Sequence, residues 1–208
     1  MNEKYHVPAQ NIRLLNKVKD SKFYGDIKYV RTEKEAQAFL NMIKEEFNDA
    51  SHNVSAYRIQ SDNIFIEKYD DDGEPASSSG PPILQAITGA SLTNTIIVVT
   101  RYFGGTKLGI GGLIRAYGET ARLLIREAGL RILSLHNVVK VRVDYQLIGT
   151  VLGQIESFNL ELLKTEYSNE GVDIFFLIKS NRYSHVEKVL VEKTANNIKM
   201  RKIENKYI

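Results

Sequence analysis

VVTRYFGGTKLGIGGLIRAY, Val98 to Tyr117, runs out of a β-branched stretch, through a glycine-rich turn and into a helix. Thr95 to Thr100 holds the unbroken apolar run Ile96-Ile97-Val98-Val99 and reads as a buried strand. Gly104, Gly105, Gly109, Gly111 and Gly112 put five glycines into nine positions, as a turn with positive φ or a close backbone approach requires. Beyond them Leu113, Tyr117, Ala121, Leu124 and Ala128 recur at helical spacing, and Gly129 supplies a stop. A strand, such a turn and a helix start leave N–H groups unpaired at the positive end of the helix dipole, which favours phosphate, sulfate or carboxylate. Arg101 precedes the turn and Lys107 lies within it. Arg115, Arg122 and Arg126 follow along one helix face, with Glu119 one turn on from Arg115. Neither standard nucleotide motif is present: no Gly-Lys-Ser/Thr triplet has the required spacing, and Ile114 occupies the third-glycine place of the dinucleotide fingerprint.

Upstream, Lys22 to Val30 reads as a strand. Thr32 with Glu35 makes a capping box for a helix from Glu33 to Phe47, whose Ala36, Phe39, Leu40, Ile43 and Phe47 share a face. Val54 to Ile59 and Ile64 to Tyr69 are short strands, and DDDGEPASSSGPP, Asp70 to Pro82, is irregular. Pro82 fits the first turn of a short helix over Ile83, Leu84 and Ile87. Downstream come a strand from Val138 to Tyr145, a helix from Leu147 to Phe158, strands Glu161 to Tyr167 and Val172 to Lys179, a helix from Tyr183 to Thr194 and a strand from Ile198 to Ile203. Ser168 to Gly171 marks a hairpin, and the order of elements is that of a ferredoxin-like βαββαβ unit. The expectation is an α+β chain of two domains, 1–135 and 136–208, divided near His136.

The 208 residues carry a net charge of +3, too little to argue for nucleic acid by itself. The distribution says more. From Arg101 to Arg131 six Lys/Arg face two acids, a balance of +4, whereas Asp62 to Glu74 has six acids against Lys68, a balance of −5. In the C-terminal half 11 Lys/Arg face 9 Asp/Glu, and Lys199, Arg201, Lys202 and Lys206 either add phosphate contacts or charge an edge strand against aggregation. The absence of cysteine removes disulfides, thiolate zinc sites and cysteine nucleophiles, and fits a reducing compartment. No apolar run reaches signal-peptide or membrane-span length, so a cytoplasmic protein without membrane contact is expected.

Asp71, Asp72 and Glu74 could hold Mg²⁺, but they lack calcium-loop spacing; a solvated turn, or pairing with Arg101 or Arg115, fits them better. Ser77, Ser78 and Ser79 with His52 as base would make a hydrolase only with a nucleophile elbow and an oriented acid, and neither is present. No catalytic residue, metal ligand or cofactor is therefore assigned. His52 either caps the turn before Val54 or lines a surface groove. Tyr102 is the candidate for stacking on an unpaired base, and Phe103 for core packing beneath the turn.

Val98 to Tyr117 resembles the signature of the IMPACT/YigZ family. Asp70 to Leu84 resembles that family's acidic-loop motif, and the segment from Ala50 through His52 and Asn53 to Tyr57 is similar to a third family segment. The resemblance extends over essentially the whole chain. It implies an N-terminal left-handed βαβ domain of the type shared by ribosomal proteins, a translocation factor and some small-molecule kinases, where ordinary crossover rules suggest a right-handed one. It also implies a C-terminal ferredoxin-like domain of a kind that meets RNA or ribosomal protein. In eukaryotic relatives the family name goes with restraint of a translation-stress kinase pathway through its activator protein, and those relatives carry an additional N-terminal interaction domain for which the residues before Lys22 leave no room. Where family members usually carry a Ser-Gly-Thr-Ala-Gly-Lys-Pro-like run, this chain has Ala76 to Pro82, with Pro81 in place of a basic residue.

The expected function is non-enzymatic regulation of translation. RNA or a ribosome-associated protein, or a phosphate-bearing ligand, would be held by Arg101, Tyr102, Lys107, Arg115, Arg122, His52 and the glycine-rich backbone. The competing expectation is a metal-dependent enzyme acting on a nucleotide or phosphorylated small molecule. A protein–protein adaptor whose groove accepts an acidic peptide is a third.

Overall fold

The computed structural model describes residues 4–61 and 64–208; Asp62, counted in the acidic stretch, lies outside them. Two compact units emerge, one built mainly from Tyr5–Ile132 and one from Leu133–Ile208. The chain opens with strands β1 (Lys4–Pro8), β2 (Ile12–Val18) and β3 (Ser21–Tyr29). Helix α1 (Glu33–Glu46), strands β4 (His52–Ser61) and β5 (Ile64–Asp70), helix α2 (Gly80–Gly89), strand β6 (Thr95–Tyr102) and helix α3 (Ile110–Ala128) follow.

The sheet of the first unit has the order β2-β3-β6-β4-β5, with every pair antiparallel. β3 and β4 therefore run the same way on either side of β6, joined by the crossover helix α1. Ile96 and Val98 of β6 pack with Ala36, Phe39, Leu40 and Ile43 of α1, while Ile97 and Val99 join Ile83, Leu113, Tyr117 and Leu124 on the α2/α3 face. Helices on both faces are why β6 shows no apolar–polar alternation. Thr32 begins α1 by accepting from the Glu35 N–H at 3.1 Å, and the Glu35 carboxylate reaches back to the Arg31 N–H at 2.8 Å.

Two strands precede Lys22 that the reading of the sequence did not mark. β2 alternates between half-buried and exposed positions, with Ile12, Leu14 and Val18 against the α2/α3 core, and Arg13, Asn16 and Lys17 dilute its apolar signal. α2 begins at Gly80, two residues before Pro82.

The second unit contains β7 (Leu130–Val143), α4 (Ile148–Ser157), β8 (Glu161–Ser168), β9 (Gly171–Lys179), α5 (Tyr183–Lys193) and β10 (Lys199–Tyr207). β7 starts eight residues earlier than the alternation at Val138 suggested, and the passage between units lies inside it. The order β10-β7-β9-β8, all antiparallel, is the ferredoxin-like arrangement. Val139, Val141, Ile174 and Phe176 pack against Val151, Ile155, Val186 and Leu190 of its two helices.

Ile97 and Phe176 are fully buried in their respective cores. Ile97→Ala is expected to destabilise its unit by about 2–5 kcal/mol and Phe176→Ala by about 3–5 kcal/mol in urea denaturation, through lost burial plus a residual cavity.

Candidate functional site

The last two residues of β6 point to opposite faces of the sheet. Arg101 goes to the α2/α3 side, following Ile97 and Val99, and Tyr102 goes to the α1 side. Only 6% of the Arg101 side chain is exposed, and Nη1 donates to Glu74 Oε1 at 2.7 Å. The Tyr117 hydroxyl donates to the same oxygen at 2.8 Å, and Arg101 Nη2 approaches Ser21 Oγ at 3.4 Å. Burial, reinforced by the neighbouring Glu74 carboxylate, pushes the Tyr117 phenol far above its ordinary range, so it stays protonated and donates. Arg101 also sits between the rings of Phe23 and Phe103, 5.6 and 5.4 Å from its guanidinium carbon. Its Nε is buried and has no hydrogen-bond partner among the described residues.

His52 completes this arrangement. Its Nδ1 lies 2.8 Å from the Asp72 carbonyl oxygen, which requires an N–H there, and its Nε2 faces Glu74 Oε2 at 3.9 Å. The three segments that carried the family resemblance thus meet around one buried carboxylate.

The acidic loop is committed internally. Asp71 accepts from the backbone N–H groups of Ser77, Ser79 and Gly80 at 2.7, 3.0 and 2.8 Å, capping an α2 start that the Ser79 side chain does not cap. Asp72 accepts from Lys44 Nζ and from the Asn53 N–H, both at 2.6 Å. Burial opposes ionisation of Asp72, but these two donors outweigh it and hold the acid below its usual range. Among the described residues no group of three or more His, Asp or Glu side chains is arranged to hold a metal.

The glycine-rich turn wraps against the loop that leads into β3. A Cβ on Gly104 would fall 2.0 Å from the backbone carbonyl of Asp20, so only glycine fits there, and its N–H lies 3.2 Å from Ser21 Oγ. Gly109, at φ 72°, is the N-cap of α3 and offers its helix no side-chain cap. Gly105 and Gly111 are exposed and Gly112 is half-buried.

These elements enclose a cleft of about 550 Å³. His52, Glu74 and Arg101 line it together with Pro75, Phe103, Leu108, Ile110 and Leu113, and Lys107 and Gly109 border it. Other expected site residues lie elsewhere. Arg122 is exposed and paired with Glu119 at 3.0 Å, and Arg115 is exposed with no ion pair among the described residues. Tyr102 contacts Tyr24 and Phe47, and its hydroxyl donates to Asp49 at 2.5 Å; that bond, with partial burial, pushes its pKa up to about 12. The roles expected of the two aromatics are therefore exchanged with respect to the cleft. Phe103, read as core, is 48% exposed and forms a cleft wall, while Tyr102 faces the other side of the sheet. Ile110 joins the cleft as well, and its helical spacing marks it. It lies one turn ahead of Leu113 on the buried face of α3, yet is 61% exposed.

Residues 19–125 match the Impact N-terminal domain. The chain belongs to the IMPACT family. It is 34% identical over 191 residues to IMPACT family member YvyE of Bacillus subtilis, covering 92% of this chain and 87% of that protein. An IMPACT family member of Thermus thermophilus is 39% identical over 155 residues, 74% of this chain and 82% of the relative. A solved structure described as a hypothetical protein has the same fold across 98% of this chain and 99% of its own, with a TM-score of 0.69 at 22% identity.

Glu74→Ala strands the Arg101 charge in the interior and is expected to cost about 3–5 kcal/mol in urea denaturation. Tyr117→Phe removes one hydrogen bond and leaves the ion pair, so about 1 kcal/mol is expected. Asp72 has a folded pKa below the ordinary 3.8, so its contribution is present above that value and is lost as pH falls through the folded pKa. Asp72→Asn should accordingly lower stability at neutral pH and flatten the acid limb of a stability–pH profile below pH 3.8.

Proposed function

We propose that this IMPACT family member is a non-catalytic regulatory binding protein of the translation apparatus, acting in the cytoplasm. Its first unit takes hold of a ribosome-associated protein through the cleft between the acidic loop and the glycine-rich turn. The observation that carries this reading is how the charges are spent. Arg101 is neutralised by Glu74, Arg122 by Glu119 and Arg126 by Glu127. Of the six cations from Arg101 to Arg131, only Lys107, Arg115 and Arg131 are exposed without an ion pair among the described residues, and Lys107 is the one of these three that borders the cleft. The cleft offers apolar walls over a self-paired polar floor, which suits a protein side chain better than a phosphate backbone.

The translational setting is supported by the family resemblance. A metal-dependent phosphotransfer reading is disfavoured because Asp71, Asp72 and Glu74 already serve backbone N–H groups, Lys44 and Arg101. RNA binding through this segment would rest on Lys107, Arg115 and Arg131, and few phosphate contacts give a shallow dependence on salt.

Affinity capture from lysate, with and without ribonuclease, separates the two macromolecular readings. A ribosome-associated protein retained after ribonuclease treatment is the expected result; loss of every partner on treatment would favour RNA. In filter binding of mixed RNA, raising salt from about 50 to 200 mM should change affinity by far less than the roughly 10³–10⁵-fold seen when 6–10 phosphates are gripped.

A further inference from the structure

We infer that the cleft recognises a short peptide segment in which a carboxylate side chain adjoins a bulky apolar one. This rests on the partner-binding role proposed above and names the chemistry of the contact. The volume of about 550 Å³ is within the range of roughly 300–1,000 Å³ typical of sites for small ligands and side chains, and unlike that of a broad flat interface.

The apolar half of the recognition lies in the walls. Phe103 and Ile110, 48% and 61% exposed, face the same cavity as Leu108 and Leu113. Large apolar side chains held at the mouth of a cleft gain by covering a partner's apolar group, and buried aromatic contacts of this kind dominate binding energy.

The acidic half follows from the charge at the cleft edge. Lys107 is exposed and forms no ion pair among the described residues. The first turn of α3 has no acidic residue and its N-cap is Gly109, so neither the cap nor the first turn supplies a side chain that neutralises the positive end of a 19-residue helix. Glu74, the one carboxylate lining the cleft among the described residues, is spent. Oε1 accepts from Arg101 and Tyr117, and Oε2 faces His52. Arg101 keeps a buried Nε without a partner among the described residues, beside the same cavity. The field at the cleft is therefore cationic: it attracts a carboxylate and repels a lysine or arginine.

A phage-displayed library of random dodecapeptides, panned on the full chain, tests this. Phe103 and Lys107 are both exposed, so Phe103→Ala and Lys107→Glu leave the core intact; circular dichroism checks that they do. Peptides that bind the wild type and weaken by about tenfold or more on each variant are expected to place Asp or Glu next to Phe, Leu, Ile or Met. Exchanging that acid for Lys in a synthetic peptide should abolish wild-type binding and restore binding to Lys107→Glu. A panel of binders insensitive to both variants, a basic consensus, or no binders at all overturns the inference. Capture from lysate keeps the two proposals apart. A ribosome-associated protein held equally by the double variant would retain the translational reading and overturn the peptide site. Acidic–apolar peptides that bind as described, with no ribosome-associated protein captured, would do the reverse.

Discussion

Arg101 reaches the interior from the end of β6 and Glu74 from an irregular loop, and Tyr117 of α3 shares the carboxylate between them. Taking a charged pair out of water costs several kcal/mol per ion, so this contact is tolerable only when the partners arrive in good geometry. That condition constrains three segments far apart in sequence. The acidic loop is held further by Asp71, which gathers three N–H groups at the start of α2, and by Asp72, which ties it to Lys44 and Asn53. A loop rich in serine, proline and glycine is thereby given one conformation without a hydrophobic core of its own. The cleft is the space left between that loop and the turn beyond β6.

Features set by short-range periodicity could be read from the chain. The unbroken run of β6, the stripe from Leu113 to Ala128, the Thr32–Glu35 cap and the element order after Leu135 each depend on neighbours within a few turns. β2 could not be read in this way. It is half-exposed along its length, and its side chains acquire a buried face only once β3 and α3 are in place.

The site was legible as a set of segments and not as an arrangement. His52, Glu74, Arg101 and Lys107 were recognisable by type and neighbourhood, and all four come to one cleft. Counting charges misplaced their field, because folding spends Arg101 on Glu74 and leaves the cationic character of the cleft to Lys107 and the start of α3. Tyr102 and Phe103 were assigned in the opposite sense because their roles turn on which face of β6 carries the cleft. That depends on where α1 and α3 pack, which the local sequence does not contain.

The alternation at the end of β6 has a consequence for how the chain tolerates change in length. Arg101 and Tyr102 are adjacent, yet one serves the Glu74 interior and the other a cluster with Tyr24 and Phe47 across the sheet. A single-residue insertion between Val99 and Arg101 would exchange their sides, sending the guanidinium among the aromatic rings and leaving Glu74 buried without its cation. Substitutions at exposed cleft positions such as Phe103 and Lys107 can accumulate one at a time, whereas the spacing that leads to them cannot drift. The chemistry of the rim is thus free to diverge among copies of this fold while the length of β6 is held.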